Sequence, residues 1–111
     1  MNEKQIMRIG QVIRVKAEKL EEYKKLHANA WEGVLKTIYA CNIRNFSIFY
    51  RDGYLFGYFE YIGDDYEKDM EKMALDEITR EWWKLTDPCQ EPVKSAEKGE
   101  WWARMEEVFH C

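Results

Sequence analysis

Two side chains set the chemical possibilities of this 111-residue chain, Tyr23 and His27. They stand four residues apart, which on a helix makes them neighbours on one face. Trp31 is the next step along that stripe, and Leu20 and Val34 lie on it too, so the stripe points inward. A histidine and a tyrosine are thereby held toward an interior rich in aromatic rings. Histidine titrates near neutrality and can act as general acid or base. Tyrosine can donate to or accept from a hydroxyl group. From spacing alone, a structural histidine with satisfied nitrogens is the simpler reading, and the same holds for the tyrosine. Trp82 and Trp83 are the other notable pair. Adjacent side chains on a helix diverge by about 100°, so one can pack in the core while the other faces a pocket.

Other chemistries lack their parts. His27 and His110 are the only histidines and lie far apart, with no H-x-x-x-H or H-E-x-x-H spacing, so no metal site is expected. The six glycines are scattered and form neither a phosphate loop nor a G-x-S-x-G elbow. Cys41, Cys89 and Cys111 are odd in number, include no C-x-x-C pair and have no base at motif spacing, so reduced, unpaired thiols are expected. The net charge is −4, from 17 basic and 21 acidic residues, and the charges are interspersed without a basic run. That balance argues against nucleic acid and against an anionic membrane surface as partners. Neither an apolar N-terminal core of signal-peptide type nor an apolar run of bilayer length is present, which points to a cytoplasmic protein. With 46 % hydrophobic and 15 % aromatic residues, the chain can fold around a core of its own as a single domain, residues 1–111.

The elements that must position these groups follow from periodicity. Residues 6–15 alternate as a strand. Residues 18–40 repeat apolar side chains at helical steps, with Glu18, Glu21 and Glu22 in the early turns where the dipole favours acids. Residues 45–50 and 54–62 are rich in aromatic and β-branched types, and the Asp52-Gly53 pair between them predicts a tight hairpin. Asp64 or Asp65 can cap a helix striped by Met70, Met73 and Ala74, with Glu67 in capping-box spacing from Asp64. A short helix over 77–85 carries the tryptophan pair and stops at Pro88. Residues 87–100 read as a long loop, and residues 101–110 as a last strand. The order β-α-β-β-α-β, with its last helix split, is the ferredoxin-like pattern of an α+β sandwich. Both faces of the hairpin strands are apolar: Phe46, Ile48 and Tyr50 against Phe49, and Phe56 and Tyr58 against Leu55 and Phe59. A sheet apolar on both sides must be covered on both, so a second copy of the chain is expected on the face without helices.

At this point the sequence resembles the L-rhamnose mutarotase family. The resemblance runs from Gln11-Val12 through Glu21-Glu22-Tyr23-Lys24-Lys25-Leu26-His27 and Trp31. It continues through Asn45-Phe46-Ser47-Ile48-Phe49, Leu55-Phe56, Glu60 and Trp82-Trp83-Lys84 to Glu106-Glu107-Val108-Phe109. No single piece is specific, but their order and spacing together are. The resemblance implies a homodimeric α+β barrel and an isomerase, free of cofactors, that acts on a free monosaccharide. It would interconvert the α and β anomers of L-rhamnose or a related deoxy-hexose by acid/base ring opening and reclosure. It further implies His27 as the catalytic acid/base, with Tyr23, Trp82 and Trp83 binding the sugar. One departure is plain. The family places a sugar-binding tyrosine after an Asn on the first hairpin strand, and here that place holds Phe46, which keeps the ring and loses the hydroxyl. The long loop at 87–100 also departs from the family pattern. Two other classes use such barrels. One is a ligand-binding or haem-handling module, or a monooxygenase without cofactor, in which His27 could be an axial ligand. The other is a non-catalytic sugar-binding protein.

Overall fold

The computed structural model describes residues 5–111. β1 (Met7–Val15) is the central strand. β2 (Ile43–Arg51) and β3 (Tyr54–Tyr61) form the expected hairpin, turned by Asp52 (φ 50°) and Gly53 (φ 87°). Two successive left-handed residues are what the two-residue turn matching the twist of paired strands requires. β1 pairs antiparallel with β3, and the strand order is β2-β3-β1 with the fourth position on the far side of β1. This is the ferredoxin-like order read from the sequence.

The fourth position is split. β4 (Gln90–Glu91) pairs with Arg14 and Val15, and β5 (Ala103–Met105) pairs with Gly10 to Val12. Pro92 lacks the N–H needed to continue the ladder, and residues 92–102 leave the sheet before the chain returns. The expected strand over 101–110 is therefore only three residues long, and part of the expected 87–100 loop is strand. In this register residue 108 would reach Met7, where β1 begins, but the chain leaves the ladder after Met105. Arg8 instead grips Glu107 through Nη2–Oε1 at 2.8 Å and Nε at 3.1 Å.

The helix expected over 18–40 is also broken. After a 3₁₀ turn, α1 (Leu20–Ala28) ends at Asn29, and α2 (Glu32–Ala40) starts after Trp31 in extended backbone. An Asn side chain competes for local backbone bonds and is a poor helix interior residue, and the break carries the Trp31 ring onto Trp82, 5.3 Å between centroids. α3 (Tyr66–Leu75) is capped by Asp65, which accepts from the Lys68 N–H. α4 (Glu77–Thr86) is capped by Asp76, which accepts from both the backbone N–H and the hydroxyl of Thr79. α2 lies so close to α4 that a Cβ on Gly33 would stand 2.8 Å from Ile78.

The helices cover one face of the sheet, and two apolar clusters hold them there. Ile13, Val15, Tyr23, Leu55 and Cys89 form one; Ile9, Ile43 and Phe59 form the other, with Met70 and Met73 of α3 against it. The parity of β2 changes partway along. Arg44 pairs with Glu60 and Ser47 with Tyr58, so β2 spends one extra residue there, a β-bulge. Asn45 adopts the left-handed conformation (φ 53°) at the bulge, and its amide donates to Glu60 at 2.8 Å. Before the bulge Ile43 faces the helices; after it Phe46, Ile48 and Tyr50 do. Asn is one of the few residues that accept this backbone at low cost. Asn45→Val should lower stability by about 1–2 kcal/mol, whereas Asn45→Gly should stay within about 0.5 kcal/mol of wild type. Urea unfolding of both variants measures this, and equal loss in both would dissociate the bulge from the backbone preference.

Candidate functional site

Between the sheet and the helices lies a cavity of about 890 Å³. That is the size of a small-molecule site. It takes Tyr23 and His27 from α1, Trp82 and Trp83 from α4 and Phe46 from β2, so the structure brings together every site residue expected from the sequence. The rings touch in series. Tyr23 stacks on His27 with centroids 4.2 Å apart and planes at 30°. His27 meets the edge of Trp82 at 5.3 Å. Trp82 is buried; Trp83 is half-buried and lines the cavity beside it. Phe46 packs against Phe59 at 5.3 Å, across from the tyrosine and histidine.

The protonation of His27 follows from its partner. Nδ1 lies 2.9 Å from the Tyr23 backbone carbonyl, the one-turn contact that its own helix provides. A carbonyl can only accept, so in the neutral ring Nδ1 carries the proton and Nε2 keeps its lone pair. Nothing among the described residues hydrogen-bonds Nε2. Burial pushes the His27 pKa below its ordinary 6.5, partly offset by that carbonyl bond. The ring is therefore neutral at neutral pH, and the Nε2 lone pair can serve as a base.

Tyr23 is only 4 % exposed, and burial raises its pKa to about 12, with the bond from Gln90 opposing the rise. Its hydroxyl oxygen accepts from Gln90 Nε2 at 3.0 Å, and Gln90 Oε1 accepts from Trp101 Nε1 at 3.0 Å. Gln90, Trp101 and Trp102 line the cavity with Gln11 of β1. These four are missing from the site as read from sequence. A short edge strand and an excursion deliver the first three, and no periodic signal marks such segments. The one sign of them in the sequence is a second adjacent tryptophan pair, at 101–102.

Among the described residues, no group of three or more His, Cys, Asp or Glu side chains converges as a metal site would require, and no helix is long and apolar enough to cross a membrane. All three cysteines are free thiols; Cys41 and Cys89 are buried, and Cys111 is exposed.

The fold and cavity define a ferredoxin-like α+β module with a cavity of small-molecule size between its sheet and helices. Comparison with known proteins narrows the class. The model of the L-rhamnose mutarotase family matches residues 8–111, and the chain belongs to that family. An L-rhamnose mutarotase of Lactiplantibacillus plantarum is 29 % identical over 95 % of this chain and 98 % of its own. The crystal structure of an L-rhamnose mutarotase from Formosa agariphila superposes with a TM-score of 0.72 at 20 % identity, over 95 % of this chain and 98 % of the other. Tetracenomycin F2 cyclase from Streptomyces glaucescens, a type-II polyketide cyclase, superposes at 0.64 with 14 % identity, over 95 % and 96 % of the two chains, and so shares the fold.

The neutral His27 has a consequence for titration. Its NMR signals should move with a pKa below 6.5, and its ¹⁵N shifts should mark Nδ1–H as the neutral tautomer. Because the folded pKa lies below the unfolded one, the unfolded state binds more protons in between. Stability is thus fully present above about pH 6.5 and falls as pH drops toward the folded value. A pKa above 6.5 would contradict the dominance of burial, and an Nε2–H tautomer would contradict the carbonyl bond.

Proposed function

We propose that this protein is a mutarotase, interconverting the α and β anomers of L-rhamnose or a closely related deoxy-hexose. One observation carries the reading: a histidine bonded through Nδ1 to a backbone carbonyl, its Nε2 unbonded among the described residues, in the wall of a cavity lined by aromatic rings. Mutarotation needs little more. His27 Nε2 accepts the proton of the C1 hydroxyl as the bond between C1 and the ring oxygen breaks. An acid gives the ring oxygen a proton, the aldehyde turns about C1–C2, and the steps reverse on the other face. Reactant and product differ only at C1, so no redox change or transferred group is involved. Trp82, Trp83 and Phe46 offer flat faces to the C–H surfaces of a sugar, and Tyr23 offers a hydroxyl.

Homodimerisation belongs to the same proposal. The sheet face without helices presents Phe49, 65 % exposed, with Tyr54, Phe56 and Met105. The C-terminal tail adds Val108 and Phe109, 86 % and 78 % exposed, held out beside the Arg8–Glu107 pair. Helices α1 to α4 lie on the other side, so a second copy, meeting this face with its own, is the cover we assign.

Replacing His27 with Ala should slow anomer exchange by about 10² to 10⁴-fold while leaving the fold intact. Saturation-transfer NMR between anomer signals, across L-rhamnose, L-fucose and other deoxy-sugars, reads it directly. Near-normal exchange in the variant would rule out His27 as the acid/base. Wild-type protein should sediment as a dimer at micromolar concentration, and Phe49→Glu with Phe56→Glu should yield monomer. A wild-type monomer would rule out the barrel.

A further inference from the structure

The hydrogen bonds around Tyr23 have a fixed direction. An indole N–H can only donate, so the atom of Gln90 facing Trp101 Nε1 at 3.0 Å must be its oxygen. The amide nitrogen of Gln90 then faces Tyr23 Oη, also at 3.0 Å. An amide NH₂ can only donate, so the tyrosine oxygen must accept. Its own proton is left without an acceptor among the described residues. Gln90 is 5 % exposed and sits beside the backbone pairing of β4 with β1, so its amide has little freedom to turn. A buried O–H without an acceptor is costly, and the tyrosine lines the cavity. A ligand oxygen there is the acceptor it lacks.

Resting on the mutarotase reading, we propose that Gln90 is a positioning residue that turns the Tyr23 hydroxyl proton into the cavity, where Tyr23 is the acid that complements His27. The step balances. Nε2 of His27 takes the C1 hydroxyl proton, and that O–H pair becomes the second bond of the C1 carbonyl. The bond between C1 and the ring oxygen breaks with its pair going to oxygen, which takes the Tyr23 proton. The phenolate is held by the Gln90 amide N–H. After rotation about C1–C2, the new hydroxyl returns its proton to Tyr23 and its oxygen attacks C1. The carbonyl oxygen then recovers the proton from His27. Nothing is oxidised, and both groups return to their starting states. Trp101 acts one step further back, because its indole keeps the amide from flipping.

Gln90→Glu tests the direction at nearly constant shape. A carboxylate accepts from Trp101 and also from the Tyr23 O–H, which pulls the proton away from the sugar. The exchange rate should fall at least about tenfold once the new carboxyl is ionised, since general acid help is worth about 10² to 10⁴. The pH–rate profile should gain a descending limb, as pH rises, that wild type lacks. In a Tyr23→Phe background the same substitution should cost nothing further. Trp101→Phe, a second route should the glutamate variant not fold, should also slow exchange, and only when Tyr23 is present. A Gln90→Glu profile parallel to wild type, or losses of equal size with and without the Tyr23 hydroxyl, would overturn the proposal. An active wild type with unaffected variants removes only this assignment. A wild type inactive toward every sugar in the panel removes the mutarotase reading and this assignment with it.

Discussion

A buried hydroxyl has to be paired, and much of this structure is arranged around pairing one. Tyr23 is nearly sealed from solvent. An unpaired hydroxyl in such a place costs on the order of 1–3 kcal/mol. The partner comes from Gln90, which lies at the edge of the sheet because β4 pairs with the end of β1. Lys16 N–H donating to the Cys89 carbonyl at 2.8 Å ties the same segment to the start of the first helical turn. The Gln90 side-chain oxygen in turn needs a donor, and the excursion after Pro92 brings the Trp101 indole N–H back to supply it. Helix, edge strand and excursion are thereby locked to one another through a polar chain that reaches the cavity wall. The contact that fills a lone pair of the buried oxygen also bears on which way its proton points.

The second constraint is one of parity. Alternation along a strand is strict, so a single extra residue at Asn45 decides which side chains of β2 meet the helices. Without it, Ser47 and Phe49 would follow Ile43 onto the covered face, and Phe46 would lie on the other. With it, the helix side receives Phe46, Ile48 and Tyr50, while Phe49 joins Phe56 outside. One left-handed asparagine, held by Glu60, therefore shapes both the wall of the cavity and the face assigned to a second copy.

Much of this was legible in the sequence, because the strongest signals are local. The Tyr23/His27 spacing, the Asp52-Gly53 turn, the faces of β2 and β3, the tryptophan pair on α4 and the element order all depend on periodicity or on turn chemistry. Where periodicity is interrupted, the sequence and the structure part company. Asn29 interrupts a stripe that remains helical on both sides, since Trp31 and Val34 keep step with His27 across the break. The fourth strand hid because two short pieces, β4 and β5, share one edge of β1 with eleven residues between them. Neither is long enough to show alternation. Gln90 owes its role to this arrangement, through partners at positions 23 and 101 that no local pattern links.

A polyketide cyclase shares this fold at 14 % identity, so the fold alone does not choose the chemistry. The choice lies in how the cavity distributes polar groups. On one side stand the free Nε2 of His27 and the hydroxyl of Tyr23, each defined by a bond made on its far side. Opposite them Phe46, Ile48 and Phe59 offer hydrocarbon, with Gln11 and Tyr50 elsewhere on the sheet wall. A pyranose seated between such walls would turn its C–H surface toward β2 and its oxygens toward α1. The C1 hydroxyl and the ring oxygen are adjacent on a single carbon, so one base and one acid side by side can serve both. Two groups four residues apart on one helix turn supply that spacing. The Tyr23/His27 spacing on α1 is therefore also the geometry that the proposed opening of a hemiacetal would use.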